Sequence, residues 1–180
     1  MRRLIICMLL ASIPLVNHAT DYYSGRDSIG IYNTRPLYMG GGIDSIVLEN
    51  QSNNTIGTIA YNNVTGIPYS IANNPMPYIH VDYVCLMAVA ESVFTRDEIE
   101  QYCDCPNFIN MTLALNPATG RVLEVKFYLG CRYNDNTILS IPVDKIEALE
   151  AGIKTSIVCD IPEAHRNATF LITVCDLFRE

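Results

Sequence analysis

The fold is decided by residues 110–129, which read NMTLALNPATGRVLEVKFYL. An apolar run at 110–115 is followed by a turn at 116–120, in which proline fixes φ and glycine is free to take a positive φ. The next residues alternate, and the uniformly apolar set is expected to face the core; that set is Leu123, Val125, Phe127 and Leu129. The opposite face would then carry Val122, Glu124, Lys126 and Tyr128. This pattern predicts a β-hairpin.

A helix is predicted after the hairpin and before Pro162, which stops any continuation. Ser140 is expected to cap it, and Pro142 to stand in its first turn, where the missing N–H is tolerated. Glu150 is assigned to the polar side, in a favourable pair with Lys154 one turn on. The apolar residues recur at spacings of three and four and form one stripe, made of Val143, Ile146, Leu149, Ile153 and Ile157.

The last strand is predicted over residues 169–175, which are apolar and β-branched. The order strand, strand, helix, strand allows the helical stripe to cover one face of a small sheet. The predicted fold class is therefore α+β, with antiparallel sheet or sheets, a C-terminal β-β-α-β unit and one short additional helix.

The additional helix is placed at residues 96–102, because Thr95 and Glu98 fit a capping box. Two apolar pieces between turn residues, 43–48 and 56–61, are predicted to be strands. The apolar run at 78–90 fits either a buried strand or a helix, and its periodicity does not decide between them.

The first nineteen residues resemble a secretory signal peptide. Arg2 and Arg3 supply a positive start, residues 4–16 an apolar run, and Ala19 a small residue for cleavage. The remaining chain is divided into an Asn- and Gly-rich, β-containing region at 20–105 and a β-β-α-β unit at 106–180, which are expected to form one compact domain. We therefore expect a periplasmic or secreted protein.

The charge of the chain excludes several classes of partner. Its formal net charge is −7 at pH 7, and it has no basic cluster. Nucleic acids and anionic lipid surfaces attract Lys and Arg, so neither is an expected partner. After leader removal no stretch approaches the roughly 20 apolar residues of a membrane-spanning helix, so no integral membrane segment is expected.

Six cysteines remain once the leader, with Cys7, is removed. An even number in an oxidising compartment is typical of a disulfide framework. Six cysteines allow 15 pairings, and the sequence does not choose among them. The candidate disulfide or redox cysteines are Cys85, Cys103, Cys105, Cys131, Cys159 and Cys175.

The pair Cys103-Asp104-Cys105 is the sharpest candidate for chemistry, because neighbouring thiols can exchange disulfides or bind a soft metal. The pair follows the predicted helix at its negative end, and Asp104 lies between the two thiols. Both features disfavour the thiolate, so separate structural disulfides are the preferred interpretation.

Metal binding and serine-hydrolase chemistry have little support in the sequence. Besides the cysteines, only His80 and His165 are available as zinc ligands after the leader, so no metal site and no cofactor is predicted. A serine hydrolase would need one of these histidines as its base, and no Gly-x-Ser-x-Gly elbow is present. No catalytic residue is assigned, and the protein is not expected to be an enzyme.

Two family resemblances are carried by particular motifs. The hairpin with Gly120-Arg121-Val122, the helix with residues 149–154 and the turn at Pro162 resemble the C-terminal domain of TonB-type proteins. The chain lacks an aromatic residue immediately before Pro162, and the energy-transducing role is not carried over. The leader, the Asp21-Tyr22-Tyr23 start and the hairpin resemble small exported Bacteroides-type proteins of unassigned function.

The sequence favours a disulfide-stabilised, non-catalytic interaction or accessory protein. Its partner is expected to be a protein or peptide bound along an exposed strand edge. One alternative is a thiol redox or metal-handling protein that uses Cys103 and Cys105. A second alternative is a hydrolase without a recognisable motif.

Overall fold

The structure is a computed structural model, which describes residues 23, 25–39, 42–70, 75–103, 108–130 and 137–178. In this part of the chain six strands form one sheet in the order β1-β2-β3-β5-β4-β6, and all neighbours are antiparallel. The strands are β1 Ser28–Ile29, β2 Tyr32–Met39, β3 Gly42–Asn50, β4 Phe108–Leu115, β5 Val122–Gly130 and β6 Leu171–Asp176. The helices are α1 Tyr83–Val93, α2 Arg96–Cys103 and α3 Val143–Ser156, with 3-10 turns at Thr137–Ser140 and Glu163–His165.

The α+β class is as predicted, and so is the β-β-α-β unit of β4, β5, α3 and β6. One additional helix was expected, whereas the described chain has two, α1 and α2. The ambiguous run at 78–90 divides between two conformations, because Asp82 caps α1 by accepting hydrogen bonds from the backbone N–H groups of Val84 and Cys85. The chain is extended before this cap and helical after it.

The β4–β5 hairpin forms as predicted, and Gly120 is required in its turn. The φ of Gly120 is +70°, and a Cβ atom there would lie 2.0 Å from the carbonyl oxygen of Cys159. The backbone of Cys159 also donates a hydrogen bond to the Gly120 carbonyl, at 2.9 Å. The turn therefore holds the segment that follows α3 against the end of the sheet.

The predicted alternation of β5 is wrong at its first residues. The pairing slips between Ala114 and Leu115, so Leu123 is an extra residue in β5 and is 42% exposed. A β-bulge of this kind reverses the facing of every residue before it. Val122 consequently lies in the core, although the sequence pattern placed it on the outer face.

Helices α1 and α3 pack on one face of the sheet, and the core lies between the two layers. The helices meet closely at Gly152, where a Cβ atom would lie 2.7 Å from Cγ1 of Val89. The capping box of α2 is confirmed, since Thr95 N donates to Glu98 and Glu98 N donates to Thr95 Oγ1. Glu98 also forms an ion pair with Lys145 of α3.

Three expectations around α3 are wrong. Ser140 lies in the preceding 3-10 turn, and Pro142 is the N-cap residue of α3 without a side-chain cap. Glu150 pairs with Lys154 at 2.6 Å as expected, but its residue exposure is only 3%. Its carboxylate is buried because Tyr32 and Asn50, on the adjoining strands, also donate hydrogen bonds to it.

The predicted strand at 43–48 is confirmed as part of β3, whereas the segment at 56–61 is a loop with one bridging residue, Tyr61. Glu124 of β5 organises the start of this loop. Its carboxylate accepts hydrogen bonds of 2.9–3.0 Å from the backbone N–H groups of residues 54–56. The backbone N–H groups of residues 54–56 are therefore bonded to a side chain instead of to a neighbouring strand, and the chain forms a loop here.

Candidate functional site

The edge strand β6 presents unpaired backbone groups. β6 pairs with β4 on one side, and no strand of the described chain pairs with its other side. Leu177 N donates to Ile109 O across the β4 side, and the direction of these bonds alternates along an antiparallel strand. The N–H and C=O groups of Ile172, Val174 and Asp176 therefore point away from the sheet.

The opposite edge of the sheet, at β1 and β2, is protected against pairing with a further strand. The short strand β1 covers the start of β2, and Thr34 N donates outward to Asp27 O. Pro36, two residues further along, also directs its backbone away from β3, and it has no N–H group to donate. Proline and short covering strands are common means of blunting a sheet edge, so β6 is the edge suited to pairing.

A groove of about 500 Å³ runs beside β6. One wall is the extended segment before α1, which Thr173 of β6 holds by a 2.8 Å hydrogen bond to the carbonyl of Ile79. Tyr83, at the start of α1, donates to Phe178 O and fixes the end of this wall. The residues that line the groove are Tyr78, Ile79, His80, Val81, Tyr83, Leu86, Val174, Cys175 and Asp176.

Apolar side chains around the groove are open to solvent. Tyr78 is 87% exposed and Val174 is 63% exposed, and both line the groove. Val84, on the first turn of α1, is 77% exposed. Exposed apolar groups beside an unpaired strand edge are the arrangement that binds an added strand, because the backbone supplies hydrogen bonds and the pockets supply side-chain contacts.

Local hydrogen bonds and burial shift the pKa values of the ionisable groups near the groove. The backbone N–H and thiol of Cys85, together with the N–H of Val84, lower the pKa of Asp82. The same contact with Asp82 raises the pKa of Cys85. Burial, followed by the effects of Cys159 and Asp176, raises the pKa of Cys175 to about 12. Both thiols are thus protonated at neutral pH, and Asp82 is ionised.

Within the described part of the chain the structure does not join the predicted cysteines by disulfide bonds. Cys85, Cys159 and Cys175 are free thiols, so no disulfide joins any two of the four cysteines that the structure describes. Burial raises the pKa of Cys159 to about 11. Cys103 is the last residue of α2, at the negative end of the helix dipole as expected. Cys105 and Cys131 lie outside the described residues.

The two histidines have different surroundings. His80 is exposed on the groove wall. His165 lies in the Glu163–His165 turn, is half-buried, and contacts the Tyr69 hydroxyl through Nδ1 at 3.2 Å. Within the described ranges no three His, Cys, Asp or Glu residues are grouped as metal ligands.

A buried polar cluster was missed by sequence reasoning. The Glu150 carboxylate accepts a 2.5 Å hydrogen bond from the Tyr32 hydroxyl and 3.1 Å bonds from Asn50 Nδ2. Burial and the bond to Glu150 raise the pKa of Tyr32. With Lys154 as its ion-pair partner, this carboxylate is fully engaged, so the cluster joins α3 to β2 and β3.

The groove residues were also missed, apart from the general expectation of a strand edge. The sequence does show that Val174 lies between Thr173 and Cys175 in the last strand, which places its side chain on the opposite face of that strand from theirs. Which of those faces would meet solvent, and which strand would lie at the edge, depends on pairing with β4.

Comparisons with known proteins show a likeness to a solved structure. No family model matches the chain, and no curated protein matches it. The fold is similar to the crystal structure of a DUF5043 family protein from Bacteroides uniformis, with a TM-score of 0.58 and 18% sequence identity over 83% of this chain and 82% of that one. The likeness shows the fold, and it agrees with the resemblance to Bacteroides-type proteins. The resemblance to TonB-type domains rests on the sequence motifs alone.

Proposed function

We propose that this chain is an exported, non-catalytic interaction protein that binds an extended peptide segment of a partner protein along β6. The observation that carries the proposal is the unpaired outer edge of β6 beside the groove of about 500 Å³. Export is part of the proposal and rests on residues 1–19, which lie outside the described residues. No helix in the described part of the chain is long and apolar enough to cross a membrane.

The backbone of β6 supplies the common part of such recognition. Ile172, Val174 and Asp176 each direct one donor and one acceptor outward, in the spacing that an added antiparallel strand requires. These bonds do not depend on the sequence of the bound segment. They give affinity for any extended chain that can enter the groove.

The side chains that line the groove supply selectivity. Tyr78 and Tyr83 offer aromatic surface to alternate side chains of the bound strand. Asp176 places a carboxylate at one end of the groove. The protein is acidic overall, so the favoured segment is apolar at alternate positions and carries no acidic residue beside Asp176.

The alternatives have weaker support in the described residues. A thiol function through Cys103 and Cys105 would require a stable thiolate, and the C-terminal position of Cys103 on α2 disfavours one. The thiol of Cys175, although it borders the groove, has a pKa near 12. For the hydrolase alternative, the contact that the structure gives His165 is with the Tyr69 hydroxyl, and His80 is exposed on the groove wall.

The proposal is tested by selecting peptides from a random library on the folded chain and measuring their affinity by fluorescence anisotropy. The informative variant is Val174→Pro, which removes an outward N–H but no bond to β4. We expect at least a tenfold loss of affinity in this variant, with unchanged circular dichroism. If the variant does not fold, Val174→Lys replaces it, since a charge also blocks an edge.

The matched control is Ile31→Lys, because Ile31 is 47% exposed at the other edge of the sheet. It should bind the selected peptides as the unmodified protein does. NMR should place the largest amide shifts at residues 172, 174 and 176. Peptides that bind Val174→Pro and the unmodified protein equally, or a selection on the monomeric protein that yields no binder, would refute the proposal.

A further inference from the structure

The loop at residues 59–68, called here the apolar loop, exposes an unusual set of side chains. Ile59 is 60% exposed, Tyr61 42%, Val64 73% and Ile67 49%. With Tyr78 and Val174 at the groove and Val84 on the first turn of α1, they make up seven of the ten large apolar residues that are exposed in the described part of the chain. Apolar residues clustered in this way mark an interaction surface.

The apolar loop has a defined backbone conformation. Tyr61 forms a bridge with Pro68, and Asn62 N donates to Ile67 O at 3.0 Å. The Asn62 side chain accepts hydrogen bonds from the N–H groups of Val64 and Thr65. These bonds hold Val64 at the tip of the loop, so its exposure is a property of a formed turn.

The apolar loop and the groove lie at opposite ends of β6. The loop is fixed just before the strand, where Thr169 N donates to Tyr61 O and Asn63 N donates to Asn167 O. The groove is lined by residues 174–176, at the end of the strand. Antiparallel pairing of two β6 strands brings the beginning of one beside the end of the other, and therefore one apolar loop beside the other groove.

We propose that the segment that occupies the β6 edge is β6 of a second copy of this chain, in a two-fold symmetric dimer. The inference rests on the proposed function, whose binding edge it uses, and it names the partner. Each apolar loop inserts Val64 and its neighbours into the groove of the other copy. The two sheets join into one across the symmetry axis, as an isologous interface requires.

The distribution of charge along the chain favours a second copy as the partner. Residues 50–79 contain no Asp, Glu, Lys, Arg or His, although the chain carries a net charge of −7. Two copies of an acidic protein repel each other wherever their charges meet. The apolar loop lies within this uncharged stretch, so it can approach a second copy without bringing charged side chains of its own into contact.

The alternation of β6 selects a register. Outward-facing residues must pair with outward-facing residues, so Val174 meets Val174 of the second copy at the axis. Asp176 then lies opposite Ile172 of the second copy. A register shifted to place two Asp176 side chains opposite each other would be destabilised by like charge.

A stable dimer must bury enough surface, roughly 800 Å² on each partner. The apolar loop contributes four exposed apolar side chains, the groove adds Tyr78 and Val174, and the strand edge lies between the loop and the groove. A second copy covers all three at once, because each element has its complement on the other molecule.

The test is analytical ultracentrifugation of the folded chain from 0.5 to 200 µM, for the unmodified protein, Val174→Lys and Ile31→Lys. We expect dimers for the unmodified protein and for Ile31→Lys, and a dissociation constant at least tenfold higher for Val174→Lys. A monomer throughout the range for the unmodified protein overturns the inference. A dimer that Val174→Lys does not weaken also overturns it.

A second measurement locates the apolar loop. The chain contains no tryptophan, so Val64→Trp introduces a single fluorescent reporter at the tip. Its emission should shift to shorter wavelength as the protein concentration rises through the dissociation constant. An emission maximum that stays at the solvent-exposed value in the dimer shows that the loop lies outside the interface and overturns the inference.

The two proposals fail in different ways. If the protein is monomeric but selected peptides still require an open β6 edge, the second-copy inference falls and the proposed function stands. If the protein dimerises through β6, peptides compete with dimerisation and raise its apparent dissociation constant. If neither dimerisation nor peptide binding responds to Val174→Lys, both proposals are refuted.

Discussion

Glu124 provides the sharpest test of how the loop over the sheet is held. Its carboxylate accepts backbone hydrogen bonds from residues 54–56 at 2.9–3.0 Å, and the residue is 7% exposed. Burial by itself would raise the pKa of Glu124, but the hydrogen bonds from Asn54, Ile56 and Thr55 outweigh it and lower the pKa. The ionised carboxylate is thus the form that the folded protein prefers.

The substitution Glu124→Gln keeps the size of the side chain but removes the charge and turns an NH₂ group toward backbone donors. Hydrogen bonds to a charged group contribute about 1.5–3 kcal/mol each before the loop relaxes. We therefore expect the free energy of unfolding at pH 7 to fall by about 2–3 kcal/mol. For a chain of this length that lowers Tm by roughly 5–10 °C.

The pH dependence follows from the direction of the pKa shift. Because the folded-state pKa lies below the ordinary value of 4.5, the stabilisation is fully present above that value. It is lost as the pH falls through the folded-state pKa. Glu98, whose pKa is also lowered despite its burial, contributes to both proteins and cancels in their difference. The stability difference between Glu124→Gln and the unmodified protein should therefore shrink below pH 4.5.

Urea denaturation followed by circular dichroism at pH 7, 5, 4 and 3 measures this difference. The control is Glu49→Gln on the neighbouring strand, where the carboxylate pairs with Lys126 at 2.8 Å and its side chain is 34% exposed. That variant should change stability by less than about 1 kcal/mol. Equal stability of Glu124→Gln and the unmodified protein at pH 7, or a difference that stays constant to pH 3, would refute the reasoning.

Three further outcomes are expected. Gly120→Ala should lower the free energy of unfolding, measured by urea denaturation, by about 2–4 kcal/mol, because alanine is strained at a φ of +70° and its Cβ would lie 2.0 Å from a carbonyl oxygen. The control is Gly66→Ala, where φ is +67° but the Cβ would lie in open space. That variant should lower the free energy of unfolding by only about 1 kcal/mol. Tyr32→Phe should lower it by about 1.5–3 kcal/mol, since the buried Glu150 carboxylate loses a 2.5 Å donor; thermal unfolding that is unchanged would contradict this. Cys175 should react with iodoacetamide at pH 8 at least tenfold more slowly in the folded protein than in urea, because its pKa of about 12 leaves little thiolate, and equal rates by mass spectrometry would count against it.

The local elements were predictable because their signals are local. The capping box of Thr95 and Glu98 fixed the start of α2, and the turn at 116–120 fixed the hairpin. The stripe from Ile146 to Ile153 correctly identified the buried face of α3. Each of these depends on residues within a few positions of one another, so one sequence is sufficient to reveal them.

Tertiary pairing decided what the local pattern could not. Leu123 alternates with its neighbours as a core residue should, but the bulge opposite Leu115 turns it to solvent. Glu150 has the spacing of a surface ion pair, but donors from β2 and β3, more than 90 residues earlier, allow it to be buried. Neither partner can be inferred from the helix itself.

The candidate site divides in the same way. The sequence by itself determined that the chain has an acidic charge, strand-forming segments and no grouped catalytic motif, because composition and local spacing carry that information. Only the tertiary structure decided that β6 lies at the edge, that Pro36 blunts the other edge, and that the extended segment before α1 forms a groove with Val174. These properties depend on which strands find one another, since an edge exists only where pairing ends.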